Sequence, residues 1–286
     1  MIQPIDGLSA LAGRYDMLLC DVWGVIHNGR ESFAVPCAAL ARWRAEAGPV
    51  VLISNSPRPC AQVAEQLDGL GVPRESWSAL VTSGDVTRAL LAPRAPGPAY
   101  RLGPDRDAPL YEGLGLAFAP IEEARFIACT GPVNDDVETP EDYRGLLTAA
   151  AARRLPMICA NPDRVVQRGD KLVYCGGALA ELYEALGGEV AMAGKPFAPI
   201  YEACLAKAAE LAGRPVDRAR VLAVGDGVVT DAKGANAQGL DLLFVAAGIH
   251  GAEMRDAGGR LDAAAAERLL AAAGAHAAYL ADALAW

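Results

Sequence analysis

A doubly wound α/β fold is predicted for this chain, with a second, smaller α/β domain inserted into the first. Three observations predict it. Short apolar runs that read as buried parallel strands (Met17–Cys20, Val50–Ile53, Val221–Val224) alternate with segments at the helical repeat. A proline- and glycine-rich stretch over residues 92–124 breaks that alternation, and a second α/β series follows before the first texture returns. Acidic and hydroxyl residues stand where strands end, the place where open α/β sheets bind ligands.

Taken in order, residues 1–15 read as an irregular or helical lead-in to the strand Met17–Cys20. The turn from Asp21 to about Glu31 follows. Phe33–Ala47 has helical apolar spacing and stops at Gly48-Pro49. Val50–Ile53 is a second buried strand, ending in Ser54-Asn55-Ser56. A helix over Arg58–Leu70 ends at Gly71. Leu80–Gly84 then reads as a strand feeding a helix over Asp85–Leu91.

The inserted series holds a strand at Arg125–Thr130, a helix at Pro140–Arg154 and a strand at Pro156–Ala160, closed by Asn161-Pro162-Asp163. A helix over Gly176–Leu186 ends at Gly187-Gly188. The first texture resumes with a helix at Ala198–Ala212, the strand Val221–Val224, a helix at Thr230–Gly239 and a strand at Leu240–Val245. An alanine-rich helix from Leu261 to about Ala273, helical by propensity, precedes the final segment.

Composition bounds the function. With 286 residues, 52% of them hydrophobic and 21% charged, the chain can bury a sizeable core. A net charge of −9 argues against a nucleic-acid or anionic-membrane surface but leaves room for a small phosphorylated metabolite. No apolar run approaches a membrane span, and residues 1–15 lack the order of a secretory leader. Seven scattered cysteines without CxxC spacing read as reduced thiols of a cytoplasmic protein.

Four separated signals fall at strand–helix junctions. Asp21 ends the first strand as a candidate nucleophile. Ser54-Asn55 offers a hydroxyl and backbone N–H groups near a helix start, a natural phosphate site. Gly194-Lys195-Pro196 supplies a lysine able to neutralise phosphate and carboxylate together. Gly225-Asp226-x4-Asp231 places two acids five apart on a turn, oxygen ligands suited to Mg²⁺. Each alone has a bland reading as a cap or loop residue. Their order, each at its own junction, argues for a single site.

That order, with Asp21-x-Trp23-Gly24-Val25 first, resembles the haloacid dehalogenase superfamily. More narrowly, it is similar to the class IIA branch of 4-nitrophenylphosphatase-like and ribonucleotide-monophosphatase-like sugar and nucleotide phosphatases. Asp21 to Ser54 spans 33 residues, too few for a cap domain; Ser54 to Lys195 spans 141, ample for one. Thr82-Ser83-Gly84, Asn161-Pro162-Asp163 and the Gly177–Gly188 segment also look like that branch, so the resemblance covers nearly the whole chain.

The resemblance implies a Rossmann-like core at 1–84 and 190–286 with an inserted α/β cap at 85–189 that selects the substrate. It implies phosphomonoester hydrolysis through an aspartyl-phosphate on Asp21. Mg²⁺ would be held by the Asp21 and Asp226 carboxylates and the Trp23 carbonyl. Ser54, Asn55 with the N–H groups after it, and Lys195 would bind the transferring phosphoryl oxygens, with Asp231 orienting Lys195 or a metal-bound water. A homodimer through the cap is also implied by the branch. In the cap, Asp163 or Arg164 would reach the substrate, or Asn161-Pro162-Asp163 is simply a turn.

One position departs from the pattern. Most phosphatases of this superfamily carry a second aspartate two residues after the nucleophile, as general acid and base. Here that residue is Trp23, whose indole cannot give a proton to a leaving alkoxide. Such help is worth roughly 10²–10⁴-fold in rate. Three readings follow. His27, in the same loop, takes over the proton transfer. Or hydrolysis persists only on esters with good leaving groups. Or catalysis is lost and the fold binds a phosphorylated ligand. Dehalogenation is disfavoured, because dehalogenase members carry their cap between the first two motifs.

Overall fold

The computed structural model describes residues 1–168, 171–256 and 258–286. Contacts divide the chain into two compact units. The first comprises Met1–Ser54, Ala64–Val81 and Tyr201–Trp286; the second comprises Asn55–Val63 and Thr82–Ile200. By contacts, therefore, Asn55–Val63, which includes the start of the helix Cys60–Gly69, and the residues up to Ile200 group with the inserted series.

In chain order the strands are β1 (Gln3–Pro4), β2 (Met17–Asp21), β3 (Val50–Ser54), β4 (Ala79–Thr82), β5 (Ala99–Leu102), β6 (Phe126–Cys129) and β7 (Met157–Cys159). They continue with β8 (Val165–Arg168), β9 (Lys171–Tyr174), β10 (Val190–Met192), β11 (Val221–Gly225), β12 (Asp241–Val245) and β13 (Tyr279–Ala281).

The first unit is built on a sheet ordered β1-β13-β12-β11-β2-β3-β4. Its described pairings are parallel. From β2 the chain winds outward through β3 to β4; from β11 it winds the other way through β12 and β13. Neighbouring β2 and β11 thus flank the switch point of a doubly wound sheet, where the crevice at the strands' carboxyl ends takes a ligand. Both are buried along their whole length, which is why they read as unbroken apolar runs rather than alternating ones. The helix Ala34–Glu46 buries Cys37, Leu40 and Trp43, three apart, as a helix with one inward stripe must.

The second unit carries a parallel sheet ordered β10-β7-β6-β5. Its strands feed two apolar layers. Ile127, Cys129, Met157 and Cys159 pack with Leu147, Leu179 and Tyr183, while Phe126, Ala128 and Ile158 pack with Leu91, Leu110 and Tyr111. Alternate residues of one strand enter opposite layers, as the pleat requires. The helix Ser83–Leu91 starts on a capping box, in which Thr82 Oγ1 accepts from Asp85 N–H and the Asp85 carboxylate accepts from Thr82 N–H. Strands β8 and β9 form an antiparallel hairpin.

The structure adds strands where none was expected: β1 in the lead-in, β5 inside the proline-rich stretch, the β8–β9 hairpin, β10 and β13. The helix expected at Pro140–Arg154 begins as a 3-10 turn over Pro140–Tyr143, and the one expected at Thr230–Gly239 as a π turn over Val228–Ala232. All seven cysteines are thiols, six of them buried. Among the described residues, no helix is long and apolar enough to cross a membrane.

Candidate active site

In the first unit, strand register assembles a carboxylate cluster. Val224 pairs with Cys20 across β11 and β2, so one residue further on Asp21 stands beside Gly225, with Asp226 next. Asp21, Asp226 and Asp231 are all buried, and one carboxylate oxygen from each lies within 4.8 Å of the others. Asp21 also pairs with Ile53 of β3, which sets Ser54 one residue beyond it at the same end of the sheet.

Backbone geometry holds each carboxylate. Asp21 Oδ1 accepts from Val22 N–H at 2.7 Å, and Asp226 Oδ2 accepts from Ile249 N–H at 3.0 Å. Asp231 Oδ2 accepts from Gly227 N–H at 3.0 Å and from the Thr230 hydroxyl at 3.3 Å. This fold-back of Asp231 is what the π turn permits; such turns widen a helix start and recur at functional sites. Space for the carboxylates comes from glycines. A methyl at Gly24, whose φ is +82°, would lie 2.4 Å from Asp226 Oδ2, and one at Gly248 only 1.8 Å from it. At Gly225 it would lie 2.3 Å from Asp231 Cγ. Gly248 and Ile249 were missed by sequence reasoning. The one signal for them is a glycine a few residues past the apolar run of β12.

Three oxygen donors brought this close, buried and fitted with backbone donors, suit a hard divalent cation such as Mg²⁺ better than a thiophilic metal. Close approach of like charges in a buried place is costly without a counter-ion.

Trp23 and His27 share the turn after Asp21. The Trp23 ring lies against Gly29, where a methyl would come within 2.3 Å of the indole, and meets the His27 ring edge-on at 5.2 Å between centroids. His27 is buried, and its Nδ1 accepts from Gly29 N–H at 2.9 Å. Burial pushes its pKa down to about 4, so the ring is neutral at pH 7. With Nδ1 accepting, the neutral ring carries its proton on Nε2. A neutral ring with one nitrogen accepting from the backbone braces the turn and has no proton at Nδ1 to give.

In the second unit, Lys195 is buried and its peptide group is gripped by Asn55. Asn55 Oδ1 accepts from Lys195 N–H at 2.7 Å, while Asn55 Nδ2 donates to Lys195 O at 3.2 Å and to Asp163 Oδ1 at 2.8 Å. The side chain of Asn55 is thus committed to Lys195 and Asp163, and its backbone N–H is the group the sequence offers to phosphate. Asn161-Pro162-Asp163 is a turn in which Asn161 Oδ1 accepts from Asp163 N–H. Arg164 is exposed and ion-paired with Glu181 at 2.7 Å.

Two family models match the chain: haloacid dehalogenase-like hydrolase over residues 18–117 and HAD-hydrolase-like over residues 192–278. A crystal structure of a haloacid dehalogenase-like hydrolase from Brucella suis is 45% identical, with a TM-score of 0.87 over 98% of this chain and 99% of that one. This chain belongs to the haloacid dehalogenase-like hydrolases. Among curated relatives, D-glycerol 3-phosphate phosphatase of Mycobacterium tuberculosis is 26% identical over 248 residues, 86% of this chain and 67% of that protein. A glycerol phosphate phosphatase structure from the same organism, in complex with magnesium, shares the fold at 24% identity, with a TM-score of 0.63 over 86% of this chain and 71% of that one.

Proposed function

We propose that this member of the family is a Mg²⁺-dependent phosphomonoester hydrolase acting on a small phosphorylated metabolite. One observation carries the reading: Asp21, Asp226 and Asp231 converge at the switch point of the doubly wound sheet. The glycerol phosphate phosphatase relative supports a polyol or sugar phosphate as the substrate class. Residues 1–84 and 190–286 form the catalytic core in this reading, and 85–189 the substrate-selecting cap.

Asp21 is the nucleophile. One of its carboxylate oxygens forms a bond to phosphorus as the bond from phosphorus to the leaving oxygen breaks; water then cleaves the aspartyl-phosphate to release inorganic phosphate. Ser54 and the N–H groups that follow it donate to the phosphoryl oxygens, and Lys195 supplies the cation expected from its place in the motif order. Asp21, Asp226 and the Trp23 carbonyl hold the Mg²⁺, which supplies Lewis-acid charge neutralisation when bound. Asp231, held by Gly227 N–H, would take the orienting role that its place in the motif order implies.

No side chain at position 23 protonates the leaving group, and His27 is engaged in bracing the turn. The leaving oxygen therefore departs without help from position 23, so a polyol or sugar phosphate turns over more slowly than an activated ester such as 4-nitrophenyl phosphate. The buried thiols support a cytoplasmic location, and a homodimer follows the branch. The experiment is phosphate release from a panel of glycerol, sugar and nucleotide monophosphates with Mg²⁺ and with EDTA. Turnover of at least one ester, abolished by EDTA, is expected. Inertness across the panel, together with tight binding of one ester, would replace this reading with that of a phosphate-ligand binding protein.

A further inference from the structure

Asp163 stands in a turn of the second unit, 32 residues ahead of Lys195, and the catalytic scheme above does not use it. Its main chain is fixed on both sides: Asp163 N–H donates to Asn161 Oδ1 at 3.2 Å, and Asp163 O accepts from Gly177 N–H at 3.0 Å. Its carboxylate Oδ1 is therefore presented at a set place, where it accepts from Asn55 Nδ2 at 2.8 Å.

An asparagine amide has two nearly isosteric ends, and what lies beside it decides which end points where. Here one neighbour is the Asp163 carboxylate, which only accepts while ionised. Were the Asn55 amide reversed, its oxygen would face that carboxylate and its NH₂ would face Lys195 N–H, two mismatches at once. With the amide as it stands, Oδ1 takes the Lys195 N–H at 2.7 Å and Nδ2 bridges Lys195 O and Asp163. The grip is close. A methyl at Gly194 would sit 2.5 Å from Asn55 Oδ1 and 2.9 Å from both Ser83 Oγ and Pro162 Cδ, so only glycine lets the Lys195 peptide reach the amide.

We propose that Asp163 is a positioning residue for Lys195: its carboxylate fixes the orientation of the Asn55 amide, and that amide fixes the peptide group from which the lysine projects. This rests on the proposed role of Lys195 in hydrolysis, but the chain from Asp163 through Asn55 to Lys195 stands on hydrogen bonds alone. It also gives Asp163 a role beside the two read from sequence, reaching the substrate or forming a plain turn.

The test is a cycle of Asp163→Ala, Asn55→Ala and the double variant, read in two ways. The first is exchange of the Lys195 amide hydrogen in the full-length protein. It is expected to quicken by roughly tenfold or more in each single variant, the scale of one lost charge-assisted hydrogen bond, and to be no faster in the double variant than in Asn55→Ala. The second is hydrolysis of 4-nitrophenyl phosphate and of glycerol 3-phosphate. Asp163→Ala is expected to lower kcat by about tenfold on both esters with KM within threefold, and Asp163→Asn, which keeps an acceptor oxygen, to recover part of the loss. Unchanged Lys195 exchange in Asp163→Ala, losses that multiply in the double variant, or a rise in KM on one ester only would overturn the proposal. If the wild type hydrolyses neither ester, the hydrolase reading fails while the exchange cycle still decides the positioning role.

Discussion

Replacing Gly248 by alanine tests how the Asp226 carboxylate is placed. The added carbon would sit 1.8 Å from Asp226 Oδ2 and 2.3 Å from both its Cγ and Cβ. Unstrained carbon–oxygen contact needs roughly 3.3 Å, so the carboxylate must retreat by roughly 1.5 Å. That retreat also breaks the hydrogen bond from Ile249 N–H. Misplacing a reacting constellation by about 1 Å costs on the order of 10²-fold in rate, or about 2.7 kcal/mol of transition-state stabilisation. Gly248→Ala is therefore predicted to lower kcat/KM for 4-nitrophenyl phosphate by about 10²-fold and to raise the Mg²⁺ concentration needed for half-activation. Gly24→Ala should do likewise, because its φ of +82° adds backbone strain to a 2.4 Å clash with the same oxygen. The assay is phosphate release across a Mg²⁺ titration, with circular dichroism to confirm that the variants fold. A folded Gly248→Ala protein whose kcat/KM and Mg²⁺ activation stay within threefold of wild type would refute the placement of Asp226 as a metal ligand.

Further outcomes follow from the same geometry. His27 has a folded pKa of about 4 against about 6.5 unfolded, so both states are neutral above pH 6.5 and only the unfolded state gains the proton below it. Stability in EDTA should fall by about 3 kcal/mol between pH 6.5 and pH 4 through this group, and urea unfolding of His27→Asn should show a flatter slope over that window. Trp23→Asp should raise turnover of an alkyl phosphate by roughly 10-fold or more, a part of the general acid–base range, with little gain on 4-nitrophenyl phosphate; equal gains on both esters would speak against a missing acid. Mg²⁺ should raise the Tm of the wild type by binding the three clustered carboxylates, and Asp226→Asn should remove most of that gain.

Much of this was legible because buried parallel strands announce themselves. Met17–Cys20, Val50–Ile53 and Val221–Val224 are continuous apolar runs bounded by turn residues, each one residue short of its strand, and the helix over Ala198–Ala212 matches its sequence reading at both ends. The strands that escaped notice are two to four residues long. Gln3–Pro4 and Tyr279–Ala281 pair with each other at the edge of the sheet, and Ala99–Leu102 lies among prolines. Runs so short carry no periodicity; pairing partners distant in sequence create them. At the site, Asp21, Asp226 and Asp231 could be named from order and spacing, and the register of β2 with β11 brings them together. Asn55 was also singled out, but which way its amide faces depends on Lys195 and Asp163, 140 and 108 residues away. His27 reads as a titrating loop residue in sequence, and only the fold shows it buried beneath its own turn.

The most direct test of the central claim, that Asp21 is a phosphoryl-accepting nucleophile, is acid-quenched turnover of 4-nitrophenyl phosphate with Mg²⁺, followed by peptide mass spectrometry, on wild type and Asp21→Asn. The account predicts steady phosphate release and a phosphate adduct on the peptide carrying Asp21 in the wild type, with neither in Asp21→Asn. A wild type as inert as Asp21→Asn on this activated ester, or turnover that survives the substitution, would contradict it.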